Sequence, residues 1–327
     1  MKPIPRRLGW LRNWGLRGVG LVLLVILLIQ VDYHQMLQVL RGADRWLVAG
    51  AMALIFPLIW LKTVRWQCIL RSQAVQFGSG PALLAYFGSL FIGFLTPGRL
   101  GEFVKALHVS QDCNIPSARA FSTVLTDRLF DLYALLLVGG VALLTLPAGD
   151  TQVLAVMASA TVLIAPLILF LNPATFGWVQ RMGLKWGGIG QKLLMPGGWL
   201  SEMRDGVRHL TWNAIVVAII LTVLAYLVFF GQCYLLALAL RLEVDFIAVS
   251  YAVALGSLIT LLPISISGLG TREATMIAYL GTRGVAPEAA LGFSLLVFMT
   301  FYLGGGLIGA IAWWLKPAPL VGQWNVR

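Results

Sequence analysis

Eight apolar runs frame this chain, at residues 18–31, 46–61, 82–96, 120–147, 153–171, 212–240, 246–263 and 291–315. A helix needs about 20 mainly apolar residues to cross a bilayer. In lipid every backbone polar group must be satisfied within the protein, so such runs fold as helices. Only 11% of the residues are charged, against about 25% in soluble domains. The chain reads as an all-α polytopic membrane protein, a single integral membrane domain over 1–327. Its net charge of +11 would suggest nucleic acid if it were soluble. Here the basic residues flank apolar runs, as membrane orientation requires, so no nucleic-acid partner is expected.

Two of the runs open the same pattern. Residues 88–108 read GSLFIGFLTPGRLGEFVKALH and residues 256–280 read GSLITLLPISISGLGTREATMIAYL. Each begins Gly-Ser-Leu and runs apolar to a proline, Pro97 or Pro263. Each then passes through glycines, Gly98 and Gly101 or Gly268 and Gly270, around an Arg and a Glu. The charged pairs are Arg99 with Glu102, and Arg272 with Glu273. A chance match of Gly, Leu and Pro is the plain alternative. The Arg and Glu at both breaks argue against it, because charge inside apolar sequence is costly. The reading is an internal repeat, with repeat one over about 82–147 and repeat two over about 246–315. Interrupted hydrophobic segments in corresponding halves point to a transporter site.

Loop charge chooses between two topologies. If all eight runs cross with the N-terminus inside, the loop Lys and Arg divide 11 inside to 9 outside. If runs 82–96 and 246–263 instead dip in and return, the division is 16 to 4. The positive-inside rule favours the second arrangement. It has six transmembrane helices, and three crossings separate the two dipping segments. The two re-entrant helical hairpins therefore enter from opposite faces and form an inverted repeat. Both termini are expected in the cytoplasm of a bacterial cell, with the chain in its inner membrane. The basic start and the run 18–31 lack a small-residue cleavage site, so they read as a retained first span. Residues 172–211 form a polar cytoplasmic connector whose end, with Trp199, Met203, Val207 and Leu210 on one face, reads as an interfacial helix. Pro57 and Pro166 are expected to kink their spans. The glycines at 304–306 and 309 are expected to pack a face of the last span closely on a neighbour.

The charged residues of the repeats carry any chemistry. Helices restarting near Gly101 and at Thr271 would place their N-termini deep in the membrane, where free N–H groups and the helix dipole attract anions. Arg99 and Arg272 sit beside those N-termini and suit a lipid phosphate. The plainer reading is that each pairs with Glu102 or Glu273 and pins its loop; the two are compatible. A charge at the bilayer centre costs about 2.5–3.5 kcal/mol on insertion scales, so Arg99, Glu102, Lys105, Arg272 and Glu273 must pair or line a wet cavity. Asp127 and Asp131 share a helix face at i,i+4. Arg128 beside them could pair with Glu102, line an entrance or sit at a solvated helix end. Glu102, Glu273, Asp127 and Asp131 are candidates for proton or ion coupling, with structural ion pairing as the alternative. Lys62 and Arg65 read as snorkelling anchors. Cys68, Cys113 and Cys233, and the three histidines, are scattered without metal or disulfide spacing. No cofactor is expected.

PGRLGE, then LTDRLFDLYALLLVG, then SGLGTREA and a glycine-rich last span resemble the flippase-like membrane region of lysylphosphatidylglycerol synthases. The resemblance covers roughly residues 46–315. It implies lipid translocation between leaflets, with Pro97, Arg99, Gly101, Glu102, Arg128, Gly268, Gly270, Arg272 and Glu273 at the matching positions. Two-part members of the family carry a soluble aminoacyl-transfer domain after the membrane region. About twelve residues follow the last span here, so aminoacyl-lipid synthesis is not expected. The expected function is movement of an anionic phospholipid or a polyprenyl-phosphate-type lipid, its headgroup held between the hairpins by Arg99, Glu102, Lys105, Arg128, Arg272 and Glu273. The alternatives are an integral-membrane enzyme of lipid headgroup chemistry and a non-transporting subunit beside a lipid-biosynthesis enzyme.

Overall fold

The structure is a computed structural model and describes residues 33–96, 98–146, 172, 175–178, 181–182, 199–261 and 268–317. The runs 18–31 and 153–171, the prolines Pro97, Pro166 and Pro263, and most of the connector lie outside the described residues.

Every regular element described is helical. The α-helices are α1 (Tyr33–Arg41), α2 (Arg45–Ala53), α3 (Ile55–Ser72), α4 (Ser79–Leu95), α5 (Lys105–Asp112), α6 (Ser117–Leu144), α7 (Trp199–Arg208), α8 (Trp212–Ala239), α9 (Phe246–Leu261), α10 (Thr271–Gly281), α11 (Pro287–Val297) and α12 (Gly305–Leu315). A 3₁₀ turn, Leu100–Val104, precedes α5, and a π-helical turn, Phe298–Gly304, joins α11 to α12. The break between α2 and α3 falls at Leu54, just before the expected kink at Pro57. Proline offers no N–H to the carbonyl four residues earlier, so the ladder is interrupted there.

Three stretches among the described residues are long and apolar enough to cross a membrane: Arg45–Ser72, Trp212–Ala239 and Pro287–Leu315. Their end tryptophans Trp46, Trp212 and Trp314 are 76%, 75% and 81% exposed, the position that amphipathic rings take at a membrane interface. Helix α6 is also 28 residues long, but carries Arg119, Asp127, Arg128 and Asp131 between its first turn and its middle. The apolar α4 and α9 are shorter, at 17 and 16 residues. Burial is distributed as in lipid. On α8, Ala218, Thr222, Ala225 and Tyr226 are buried, while Ile219, Ile220, Val223, Leu224 and Leu227 are exposed. Lipid is as apolar as leucine, so helices associate through small and polar residues and leave large aliphatic ones outside. The chain is a multi-pass membrane protein.

The described residues form two compact units. Unit one takes the chain up to Ile55, Leu90–Glu102 and Val228–Ile308. Within it, α9 packs along α10, α10 against α11, and α11 against α1. Met36 and Leu291 are buried together there, with Leu40, Ile277 and Leu295 against them. Gly304 lets the π turn approach α2, since a Cβ there would lie 3.4 Å from Met52 Cε. The expected close packing of the glycine-rich face holds at Gly304. At Gly305 and Gly306 an added Cβ would meet nothing within 4 Å.

Unit two takes Phe56–Ser89, Phe103–Leu227 and the chain from Gly309. Both α5 and α7 pack on α6. Trp66 is fully buried; its indole N–H donates to Thr123 Oγ1 at 3.1 Å and its ring meets Phe77 and Tyr86 edge-on. Helix α7 forms where the interfacial helix was expected, and its Gly206 sits against Ser122 and Gln73. That side of α7 docks on protein.

Candidate functional site

The first break follows Leu95. Thr96 Oγ1 lies 3.2 and 3.1 Å from the Ile92 and Gly93 carbonyls and accepts the Gly101 N–H at 2.7 Å. One side chain thus ties α4 to the turn after it. Gly98 and Arg99 both adopt left-handed backbone, with φ of 60° and 57°. Glycine does this freely; an arginine there is strained and must be held by its surroundings. Arg99 Nε meets Glu102 Oε1 at 2.7 Å, and Glu102 is buried. A Cβ at Gly101 would overlap the Ile92 carbonyl, and one at Gly93 would lie 2.5 Å from Glu102 Cγ. The close approach of the two arms therefore requires glycine on both.

The second break has the same logic with different atoms. Gly268 and Gly270 have φ of 74° and 82°, and α10 starts at the next residue, Thr271. Glu273 Oε2 accepts the Gly270 N–H at 2.6 Å, satisfying a donor the helix start leaves free. The Arg272 guanidinium pairs with Glu273, and its Nε donates to Ser294 Oγ at 3.3 Å. Ser294 Oγ also lies 3.4 Å from Glu273 Oε1. Arg272 and Glu273 are fully buried.

Both arginines rest on one face of the last span. Arg272 lies 4.8 Å over the ring of Phe298, and Arg99 lies 5.9 Å over Phe301. Ser294, Phe298 and Phe301 follow i, i+4, i+7 spacing. Phe94 packs on Phe298 at 5.6 Å. The two phenylalanines belong to the π-helical turn, a distortion that often marks functional positions. Leu90, Phe94, Arg99, Phe301 and Gly306 enclose a cavity of ≈ 10 Å³, room for about one water.

Unit two carries a second charged centre. Arg65 Nε donates to Asp127 Oδ1 at 2.8 Å, and Arg65 also reaches Asp131 Oδ1 at 2.9 Å and Thr222 Oγ1 at 3.0 Å. Lys105 Nζ meets Asp127 Oδ2 at 2.6 Å and stands 3.7 Å over the Tyr86 ring. Lys62 Nζ meets Asp131 Oδ1 at 3.0 Å. Arg128 donates to Tyr86 Oη at 2.9 Å and lies 3.8 and 3.6 Å from the carboxylates of Asp127 and Asp131. Tyr86 Oη in turn lies 3.2 Å from Asp127 Oδ2. Burial strengthens every one of these interactions and makes each partner costly to remove.

The sequence-derived residues thus divide between the units. Arg99, Glu102, Arg272 and Glu273 meet their expected neighbours, and each Arg–Glu pair does pin its loop. Lys105, Asp127, Arg128 and Asp131 form the second centre, where Asp127 and Asp131 share a face as the spacing predicts. One expectation and one alternative are corrected. Lys62 and Arg65 do not snorkel; Arg65 is fully buried and both hold the carboxylates of α6. The start of the fourth run is not a solvated end, since Asp127 is fully buried. Sequence reasoning also missed Tyr86, Ser294, Phe298 and Phe301. A readable signal did exist for the basic pair. Lys62 and Arg65 are i,i+3 on one apolar helix, matching Asp127 and Asp131 at i,i+4 on another.

The chain is similar to known membrane proteins. Residues 15–309 match the family described as the lysylphosphatidylglycerol synthase TM region. A UPF0104 membrane protein of Methanothermobacter thermautotrophicus is 23% identical over 291 residues, covering 83% of this chain and 86% of the relative. Another, from Methanocaldococcus jannaschii, is 24% identical over 314 residues, covering 90% and 92%. The glycosyltransferase AglD of Haloferax volcanii is 34% identical over 134 residues, which are 39% of this chain and 21% of that protein. These relatives are archaeal, whereas the sequence reading expected a bacterial inner membrane. No solved structure matches the chain.

Proposed function

The chain belongs to the lysylphosphatidylglycerol synthase transmembrane-region family, and from that premise we propose that it moves an anionic lipid between leaflets. The cargo is a phospholipid or a lipid-linked phosphate, and its headgroup is held at the two helix breaks of unit one. The observation that carries this reading is that both breaks place an Arg–Glu pair, each with its glutamate buried, on one face of the last span, through Phe298 and Phe301. A phosphate competes with each glutamate for its arginine, so the pairs serve as the resting state of an anion site. In this reading α4 and α9 are the first arms of re-entrant hairpins, for which their 17 and 16 residues suit better than a full crossing. Lys105 and Arg128 belong to the separate charged centre of unit two. Asp127 and Asp131 hold those cations, and any proton coupling falls to Glu102 or Glu273.

Vesicles reconstituted with the full chain test this. A headgroup-labelled phosphatidylglycerol should exchange leaflets faster than in empty vesicles, with its mass unchanged. Arg99→Ala, at a side chain 20% exposed, should slow exchange without unfolding the protein. Arg272→Gln should do the same, with thermal unfolding measured alongside. Exchange at the rate of empty vesicles would refute translocation.

The partial match to a glycosyltransferase favours one second reading, a membrane component of lipid-linked glycan synthesis. It predicts a covalently altered lipid by mass spectrometry when the chain is supplied with its biosynthetic partner, and no leaflet exchange.

A further inference from the structure

We propose that the groove between α3 and α4 of unit two is a binding site for an anionic membrane phospholipid, with its phosphate at Arg71 and an acyl chain along Trp60, Val64 and Leu83. The groove has a volume of ≈ 390 Å³, within the range of about 300–1,000 Å³ typical of ligand sites. Its α3 wall is one helical stripe, from Trp60 through Val64 and Gln67 to Arg71, and its α4 wall is Ser79, Gly80 and Leu83.

The two ends of the groove differ in chemistry. One end is apolar, with Trp60 57% exposed toward the outside of the bundle. The other holds Arg71, exposed in the last turn of α3 and in no ion pair among the described residues. Gly80 is open as well, since a Cβ there would meet nothing within 4 Å. It lies in the first turn of α4, where backbone N–H groups lack intrahelical acceptors, and these add to the field of Arg71. The polar wall between the ends needs no ligand of its own. Gln67 Nε2 donates to the Phe77 carbonyl at 2.9 Å and lies 3.2 Å from Ser79 Oγ, which keeps the α3–α4 loop in place. A cation at one end and an apolar trough along the rest complement an anionic lipid. A zwitterionic headgroup carries the same phosphate, but its ammonium offsets the negative charge that Arg71 meets.

The proposal deepens the translocation reading by giving the cargo an entry site, yet it is tested without transport. The full chain, delipidated in detergent, is titrated with phosphatidylglycerol or with phosphatidylcholine of identical acyl chains, and bound lipid is counted by native mass spectrometry. Phosphatidylglycerol should bind about fivefold more tightly, the factor for one basic residue near an anionic headgroup. Arg71→Ala should erase that preference and Arg71→Lys should keep it. Leu83→Trp, which fills the trough, should weaken both lipids, and Val64→Trp repeats the test if Leu83→Trp lowers the thermal midpoint. Equal binding of the two lipids by the unaltered chain overturns the proposal. So does a preference that survives Arg71→Ala, or binding indifferent to both tryptophans. Photo-crosslinking from position 83 to a co-purifying polypeptide would assign the groove to a protein helix and overturn it too. Absence of leaflet exchange leaves this result untouched, and loss of the preference leaves the Arg99 and Arg272 test untouched.

Discussion

Replacing Asp127 by Asn tests the buried centre of unit two directly. The carboxylate has no exposed surface and takes Arg65 at 2.8 Å and Lys105 at 2.6 Å. Asparagine keeps the shape but deletes the charge. Lys105 is then left fully buried, having lost its carboxylate on α6, while Arg65 retains Asp131 at 2.9 Å. Breaking a buried pair from one side costs about 3–5 kcal/mol, because the surviving charge stays buried without that counter-charge. At roughly 2–4 °C per kcal/mol for chains of this order, the thermal midpoint of the detergent-solubilised protein should fall by about 10 °C. Lys105→Met supplies the contrast. It removes one cation but leaves Asp127 with Arg65, so the loss should be well under half as large. The asymmetry is the diagnostic part, since simple loss of packing would make the two variants equal. A midpoint for Asp127→Asn within about 2 °C of the parent would refute the view that this centre holds α3, α5 and α6 together.

Three further outcomes follow from the geometry. Gly101→Ala places a Cβ on the Ile92 carbonyl and should cost about 1–3 kcal/mol, read as a lower thermal midpoint, whereas Gly305→Ala, with open space around it, should be neutral or slightly stabilising. Ser294→Ala deletes the hydroxyl between Arg272 and Glu273 and should cost about 1 kcal/mol in stability while changing leaflet exchange, measured on the same preparation. Single cysteines at Gly80 and Gln111 should both react with an impermeant maleimide from the cytoplasmic face, as a dipping first hairpin demands; reaction from opposite faces would remove the hairpin.

The sequence made the class of fold and the location of the breaks legible for a plain reason. Apolar length and glycine position are local properties, and the second helix restarts at Thr271 as the sequence indicates. The Arg–Glu pairing was legible too, because the partners are one and three residues apart. Contacts across long separations were not. Lys62 and Arg65 sit near the end of an apolar run, where a snorkelling side chain and a buried one have the same local sequence. Only the distant Asp127 and Asp131 decide between them. Phe298 and Phe301 were invisible for another reason. Phenylalanine in a lipid-embedded span is unremarkable until a guanidinium is found over its ring.

The buried pairing of Lys62 and Arg65 also changes the balance of orienting loop charge. A cation neutralised inside a helix bundle exerts little of the pull that free loop charges exert on orientation. Without these two residues, the six-crossing arrangement holds 14 basic loop residues inside against 4 outside, while the eight-crossing arrangement holds 9 against 9. Eight crossings would then leave the chain with no orienting bias at all. The margin between the two arrangements is therefore unchanged by the correction, and under the positive-inside rule the charge distribution still favours segments in which α4 and α9 return to the face they left.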